Sequence, residues 1–143
     1  MSTLVAIADA VTASLNAGSF SQPLTAERLY QPSFELADLA ELKVSVVPKG
    51  VTIATASRDG SFFDCAVDVG IQKKIGPDEG DAEIDALVDL AEEIADHLRM
   101  KRLEGFPQAV WISVEHEPVV AAEHLEQQRA LTSILTVTYR VRR

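Results

Sequence analysis

"VTIATASRDGSFFDCAVDVGIQKK", Val51 to Lys74, is the stretch whose reading decides the fold. At its centre Asp59-Gly60 is a strong turn signal between two runs of strand-forming residues. Beyond the turn, Phe63, Cys65, Val67, Val69 and Ile71 alternate with Asp64, Ala66, Asp68, Gly70 and Gln72. A period of two sends these sets to opposite sides of a strand, which predicts a hairpin with one apolar and one wet face. An apolar sheet face needs a covering layer, so helices are sought on either side.

Upstream, "LKVSVVPKG" (residues 42–50) reads as a strand stopped by Pro48 and Gly50. "FSQPLTAERLYQP" (residues 20–32) reads as a loop followed by a short extended piece. At the start of the chain, Ser2 or Thr3 is placed to cap a helix on which Leu4, Ile7, Ala8, Val11 and Leu15 share a face, and Gly18 is placed to end it.

Downstream, "GPDEGD" leads into "IDALVDLAEEIADHLRM" (residues 84–100), where Ile84, Leu87, Val88, Ala91, Ile94, Ala95 and Leu98 recur at helical spacing. Asp81 is expected as its N-cap, with Asp81 and Glu83 at the positive end and Arg99, Lys101 and Arg102 at the negative end. Gly105 and Pro107 stop it. "AVWISVEHE" then predicts a strand with Val110, Ile112 and Val114 on one face and Trp111, Ser113 and Glu115 on the other. "PVVAAEHLEQQ" is a connector of no assigned structure. "ALTSILTVTYRVRR" closes the chain as a strand, with Leu131, Leu135, Val137, Tyr139 and Val141 opposite Thr132, Thr136, Thr138, Arg140 and Arg142. This order predicts an α+β fold, a mostly antiparallel sheet of about five to six strands with two main helices packed on it, as one domain over residues 1–143.

A chain of 143 residues, 47% hydrophobic, suits one core. Its net charge of −9 argues against general nucleic-acid binding, which needs a basic surface. The excess is local. Nine carboxylates and no lysine or arginine lie between Asp78 and Asp96, and the thirteen other carboxylates balance the thirteen Lys and Arg. On the second helix Asp85, Asp89, Glu92 and Asp96 form a row beside Glu93, with no cation expected one turn away. Like charges at that spacing each cost roughly 0.2–0.5 kcal/mol, so the row does not serve the helix itself. Arg140, Arg142 and Arg143 crowd the last four residues, so the chain has an acidic pole and a basic pole. The first residues carry no basic leader, no run of eighteen apolar residues is present, and a cytoplasm-like compartment is expected.

Chemistry-bearing patterns are weak. "PDEGDAEID" lacks the alternating ligands of a calcium loop. His116, Glu117 and His124 have the wrong spacing for a zinc helix, with Pro118 between them. Cys65 alternates into the apolar face, where a thiol is inert. No catalytic, cofactor or metal site is expected, and an enzyme would need Glu115, His116 and His124 to gather in a cleft. What remains is a surface: opposite poles allow head-to-tail stacking that closes into a ring when the rotation permits. A small acidic adaptor or chaperone-like module that docks a basic partner is the alternative.

In order and spacing the chain resembles the bacteriophage tail-terminator (tail completion) and related neck proteins. The resemblance rests on the N-terminal helix, "LTAERLYQPSFELADLAELKVSVVPKG", the hairpin ending in "VDVGIQKK", the helix "EIDALVDLAEEIADHLRMKRL" and the closing strand. It implies a homo-oligomer, a hexameric ring that caps the tail tube, stops its polymerisation and joins the tail to a neck or connector protein. The place would be the virion tail after assembly in host cytoplasm, with no membrane and no specific nucleic-acid binding, although DNA would pass through the ring. Arg58, Lys73 and Lys74 would face the tube or lumen. Asp85, Asp89, Glu92 and Asp96, with Arg140, Arg142 and Arg143, would form subunit or partner interfaces.

Overall fold

The computed structural model describes residues 2–31, 38–76 and 80–143. The passages "PSFELA" and "PDE", on which parts of the tail-terminator and calcium-loop readings fall, lie outside the described residues. Five strands, β1 (Ala26–Arg28), β2 (Lys43–Ser57), β3 (Gly60–Lys74), β4 (Val110–His116) and β5 (Ala130–Arg142), form one sheet in the order β1-β2-β3-β5-β4. The β2–β3, β3–β5 and β5–β4 pairs are antiparallel, and β1 runs parallel to β2. With α1 (Thr3–Ala17), α2 (Asp81–Leu98) and α3 (Ala122–Gln128) the fold is α+β.

The central strands keep the predicted alternation. Cys65 faces Tyr139, Val67 faces Val137 and Val69 faces Leu135, and all six are buried. Ile7, Val11 and Leu15 of α1 and Leu90, Ala91, Ile94 and Leu98 of α2 close over that face. Side chains of this size stabilise by about 1.5–3 kcal/mol each when fully buried, so this face holds the sheet and both helices together. A smaller cluster of Ile75, Leu87 and Leu131, with Leu125 of α3 against it, seals the end of the sheet near Lys74.

Ser2 caps α1, its Oγ accepting from the Val5 N–H at 3.3 Å. Gly18 ends it at φ −81°, so the glycine is not there for a left-handed turn. A Cβ at Gly18 would sit 2.9 Å from both the His97 and Phe20 rings. The absent side chain lets the end of α1 approach α2, where Ser14 Oγ and its carbonyl both lie 3.1 Å from His97 Nε2.

Several expectations are corrected. The strand expected to stop at Pro48 and Gly50 runs on to Ser57, so two expected strands are one. Pro48 pairs with Val67 and Gly50 with Ala66, leaving Lys49 as the extra residue of a bulge, where proline is tolerated. The hairpin forms as expected, but it turns at Arg58-Asp59, one residue before the Asp59-Gly60 signal: no described glycine has positive φ, and Gly60 already pairs with Ser57 as the first residue of β3. Asp81 is inside α2 rather than its cap; Gly80 holds that position, and its N-cap makes no side-chain hydrogen bond. Asp81 and Glu83 still lie in the first turn, where the helix dipole favours carboxylates. The unassigned connector contains α3, which ends at Arg129 in a left-handed conformation (φ 51°).

The largest correction concerns β4. Trp111 pairs with Tyr139 but Ser113 pairs with Thr138, so Ile112 is an extra residue. The bulge breaks strict alternation. Trp111 and Val114 turn toward the core, while Val110 and Ile112 are exposed to 60% and 38%.

Candidate interaction surfaces

The heptad geometry of α2 places Leu87, Leu90, Ala91, Ile94 and Leu98 inward, so residues half a turn away must face water. Asp85, Asp89, Glu92 and Asp96 are all exposed, in one line along the outer side of the helix layer. Two neighbours of the row are occupied. Glu93 turns aside to accept from the Ser21 backbone N–H at 3.0 Å and from its hydroxyl, and Glu83 forms an ion pair with Lys73. One correction is needed within the row: Asp96 has a cation one turn away, Arg99, at 3.8 Å. Both side chains are well exposed, and such pairs contribute little.

The arginines at the other end of the sequence are not equivalent. Arg140 donates from Nε and Nη2 to the two oxygens of Asp64, at 2.8 and 3.0 Å, across the β3–β5 pair. That hydrogen-bonded pairing holds the Asp64 carboxyl below its ordinary pKa and the guanidinium above its own. Arg140 also stacks over Phe62 at 4.6 Å, so it is committed within the sheet. Arg142 and Arg143 donate to neutral hydroxyls, Ser57 Oγ at 3.0 Å and Thr3 Oγ1 at 3.1 Å, and keep their net charge. With exposed Arg58 they put three arginines at the hairpin tip against one exposed carboxylate, Asp59, and the cluster stays net cationic. The expected basic pole is therefore Arg58, Arg142 and Arg143 rather than Arg140, Arg142 and Arg143.

Arg58, Lys73 and Lys74 do not share a surface. Arg58 lies in the turn before β3 and the two lysines end that strand. Fifteen residues at about 3.3 Å each separate them by about 45–50 Å. Lys73 is held by Glu83, so among these three only Arg58 and Lys74 remain exposed.

The histidines are also kept apart. His116 Nε2 lies 2.6 Å from Ser133 Oγ, and His124 Nδ1 lies 2.8 Å from Thr132 Oγ1. Ser133 and Thr132 are successive residues of β5, and successive strand side chains point to opposite faces. Glu115 is exposed and is hydrogen-bonded to neither histidine. Burial pushes the His116 imidazole below its ordinary pKa, against the opposing pull of Glu92. Cys65 is fully buried and burial pushes its thiol up, which leaves it unreactive.

Sequence reasoning missed two features. Both faces of β2 are exposed from Val51 to Thr55, and among the described residues no strand pairs with its outer side beyond Val46. At the other edge, a groove of about 380 Å³ opens between Met100, Lys101 and Arg102 after α2 and Pro107, Val110 and Trp111 at the start of β4. The Trp111 Nε1–H and its cross-strand neighbour's hydroxyl, Tyr139 Oη, are buried without a protein partner. The signal available for the first was the absence of any charged residue in "VTIATAS".

No protein-family model matches the chain, and no curated protein matches it significantly. Among the described residues no helix is long and apolar enough to cross a membrane.

Proposed function

We propose that this chain is a structural, non-catalytic protein of a bacteriophage tail: a terminator that forms a ring, hexameric by the family resemblance, caps the tail tube and joins it to the neck. The observation that supports the reading is the exposed row Asp85, Asp89, Glu92 and Asp96 on the helix layer, set apart from the cationic hairpin tip of Arg58, Arg142 and Arg143. A row that costs its own helix stability is retained for contact, either with a neighbouring copy or with another tail protein. Tail tube and neck proteins are the partners on this reading, and the virion is its place.

One observation favours a second reading. Arg140 and Lys73 are spent on Asp64 and Glu83 inside the chain, which leaves Asp85, Asp89 and Glu92 of the row for a foreign cation, with Asp96 only loosely paired to exposed Arg99. That suits an adaptor docking a basic protein. Light scattering after size exclusion, at low and high salt and with added tail tubes, separates the two. A ring-sized species, alone or on tubes, supports the terminator; a chain that stays single in every condition rejects it and leaves the adaptor. In the double variant Asp89→Lys/Glu92→Lys, docking or self-association is expected to weaken with the fold intact. Unchanged assembly and docking would remove the row from the interface.

A further inference from the structure

We propose that copies of this chain join edge to edge, the outer half of β2 in one copy pairing antiparallel with β4 of the next. The inference rests on the ring reading and names the contact that builds it. An unpaired strand edge presents a row of backbone donors and acceptors, and proteins that stay monomeric guard such edges with charges, prolines or short length. From Val51 to Thr55, between the bulges at Lys49 and Ala56, this edge has no such guard: five residues without charge or proline, with Ile53 exposed to 61%.

Strand direction admits β4 of a neighbouring copy as the partner. β2 is antiparallel to β3, β3 to β5 and β5 to β4, so β2 and β4 lie toward opposite edges and run in opposite directions. A neighbour related by rotation alone, with its helices on the same side of the sheet, therefore offers its β4 antiparallel to β2. This is a heterologous contact, the kind that closes into rings.

Charge then sets the register. Exposed Lys49 begins the open part of β2, and exposed Glu115 lies near the end of β4. In the antiparallel arrangement these ends meet. Counting with Lys49 and Ile112 as the extra residues of their bulges, Gly50 and the adjacent Lys49 fall opposite Glu115, Val51 opposite Val114, and Ile53 opposite Trp111. The opposed apolar residues share the helix side of the sheet, since Val51 and Ile53 pair with Cys65 and Phe63 while Val114 and Trp111 pair with Val137 and Tyr139. One register satisfies both the charges and the apolar pairs.

The test uses two variants of the full chain, Ile53→Lys and Val110→Lys, each placing a guarding charge on one edge at a position already exposed. Circular dichroism checks that both fold. Each alone is expected to have the mass of a single chain where the wild type forms larger species. Mixed, they are expected to form a one-to-one dimer, because the first retains a usable β4 and the second a usable β2. Retention of wild-type assembly by either variant overturns the edge contact and leaves the ring reading standing. A dimer of Val110→Lys by itself overturns β4 as the partner, since β2 would then pair with itself. A wild type that is single at all concentrations, with or without tail tubes, overturns the inference and the ring together.

Discussion

Replacing Trp111 and Val110 separately by alanine tests the bulge that orients β4. Under strict alternation Val110 belongs to the buried face and Trp111 to solvent; with Ile112 as an extra residue the assignments reverse. Trp→Ala in a core costs about 3–5 kcal/mol. Trp111 packs on the main cluster but is only partly buried, so its loss falls at or below the bottom of that scale, about 2–3 kcal/mol. Val110 keeps 60% of its surface in water, and the remaining fraction of a valine's transfer energy is under about 1 kcal/mol. With a urea slope of about 2 kcal/mol per molar, Trp111→Ala should lower the midpoint by about 1–1.5 M and Val110→Ala by less than about 0.5 M. Far-UV circular dichroism is the appropriate signal, because Trp111 is the sole tryptophan and fluorescence would vanish with it. The comparison belongs at concentrations where both variants are single chains, since Val110 lies at the proposed contact. A loss from Val110→Ala equal to or larger than that from Trp111→Ala would refute the bulge and the edge register built on it.

Other outcomes follow from single contacts. Gly18→Ala should cost about 1–3 kcal/mol, because its Cβ would meet two rings at 2.9 Å; a variant as stable as wild type in urea would show that the α1–α2 approach is not tight. His116 has a folded pKa below its unfolded value, so the unfolded chain takes up its proton first as pH falls. Stability should therefore decline as pH drops through the ordinary histidine range toward the lowered folded value, and His116→Gln should flatten that decline in urea titrations from pH 7 to 5. An equal slope in the variant assigns the decline to other groups. Asp89→Lys/Glu92→Lys should leave stability unchanged or slightly raised, by a few tenths of a kcal/mol from relieved repulsion; a marked thermal destabilisation would mean the row has an internal role.

Legibility followed burial. On β3 and β5 both neighbours are strands and one face is sealed by helices, so every second residue is apolar and the sequence carries the register plainly. The acidic row on α2 was equally plain, because an exposed helix face is free to segregate charge. β4 hid its register. It is paired on one side, is open on the other among the described residues, and carries apolar residues on both faces, so a one-residue bulge inverts the assignment without leaving a compositional mark. β2 hid its continuity for a related reason, since Pro48 and Gly50 break a flat strand but sit comfortably at a bulge next to Lys49. The basic pole was misplaced because Arg140 looks like its neighbours in sequence, and only the cross-strand partner Asp64 tells it apart.

The edge contact also decides what the acidic row is for. If copies repeat by rotation with helices on one side, the row of Asp85, Asp89, Glu92 and Asp96 repeats on that same side in every subunit, and neighbouring rows face like charge. The row then opposes ring closure weakly and is held for a different, basic molecule. If instead the row meets the Arg58, Arg142 and Arg143 cluster of the next copy, it drives closure. Salt distinguishes the two by sign, because screening at 0.15 M or above acts over about 8 Å on exposed charges. Edge-paired rings should persist or tighten as salt is raised, while rings held by acidic row against arginines should fall apart. The mass of the assembly at two ionic strengths therefore reports whether the carboxylates are the joint between copies or the surface those copies present to the tail.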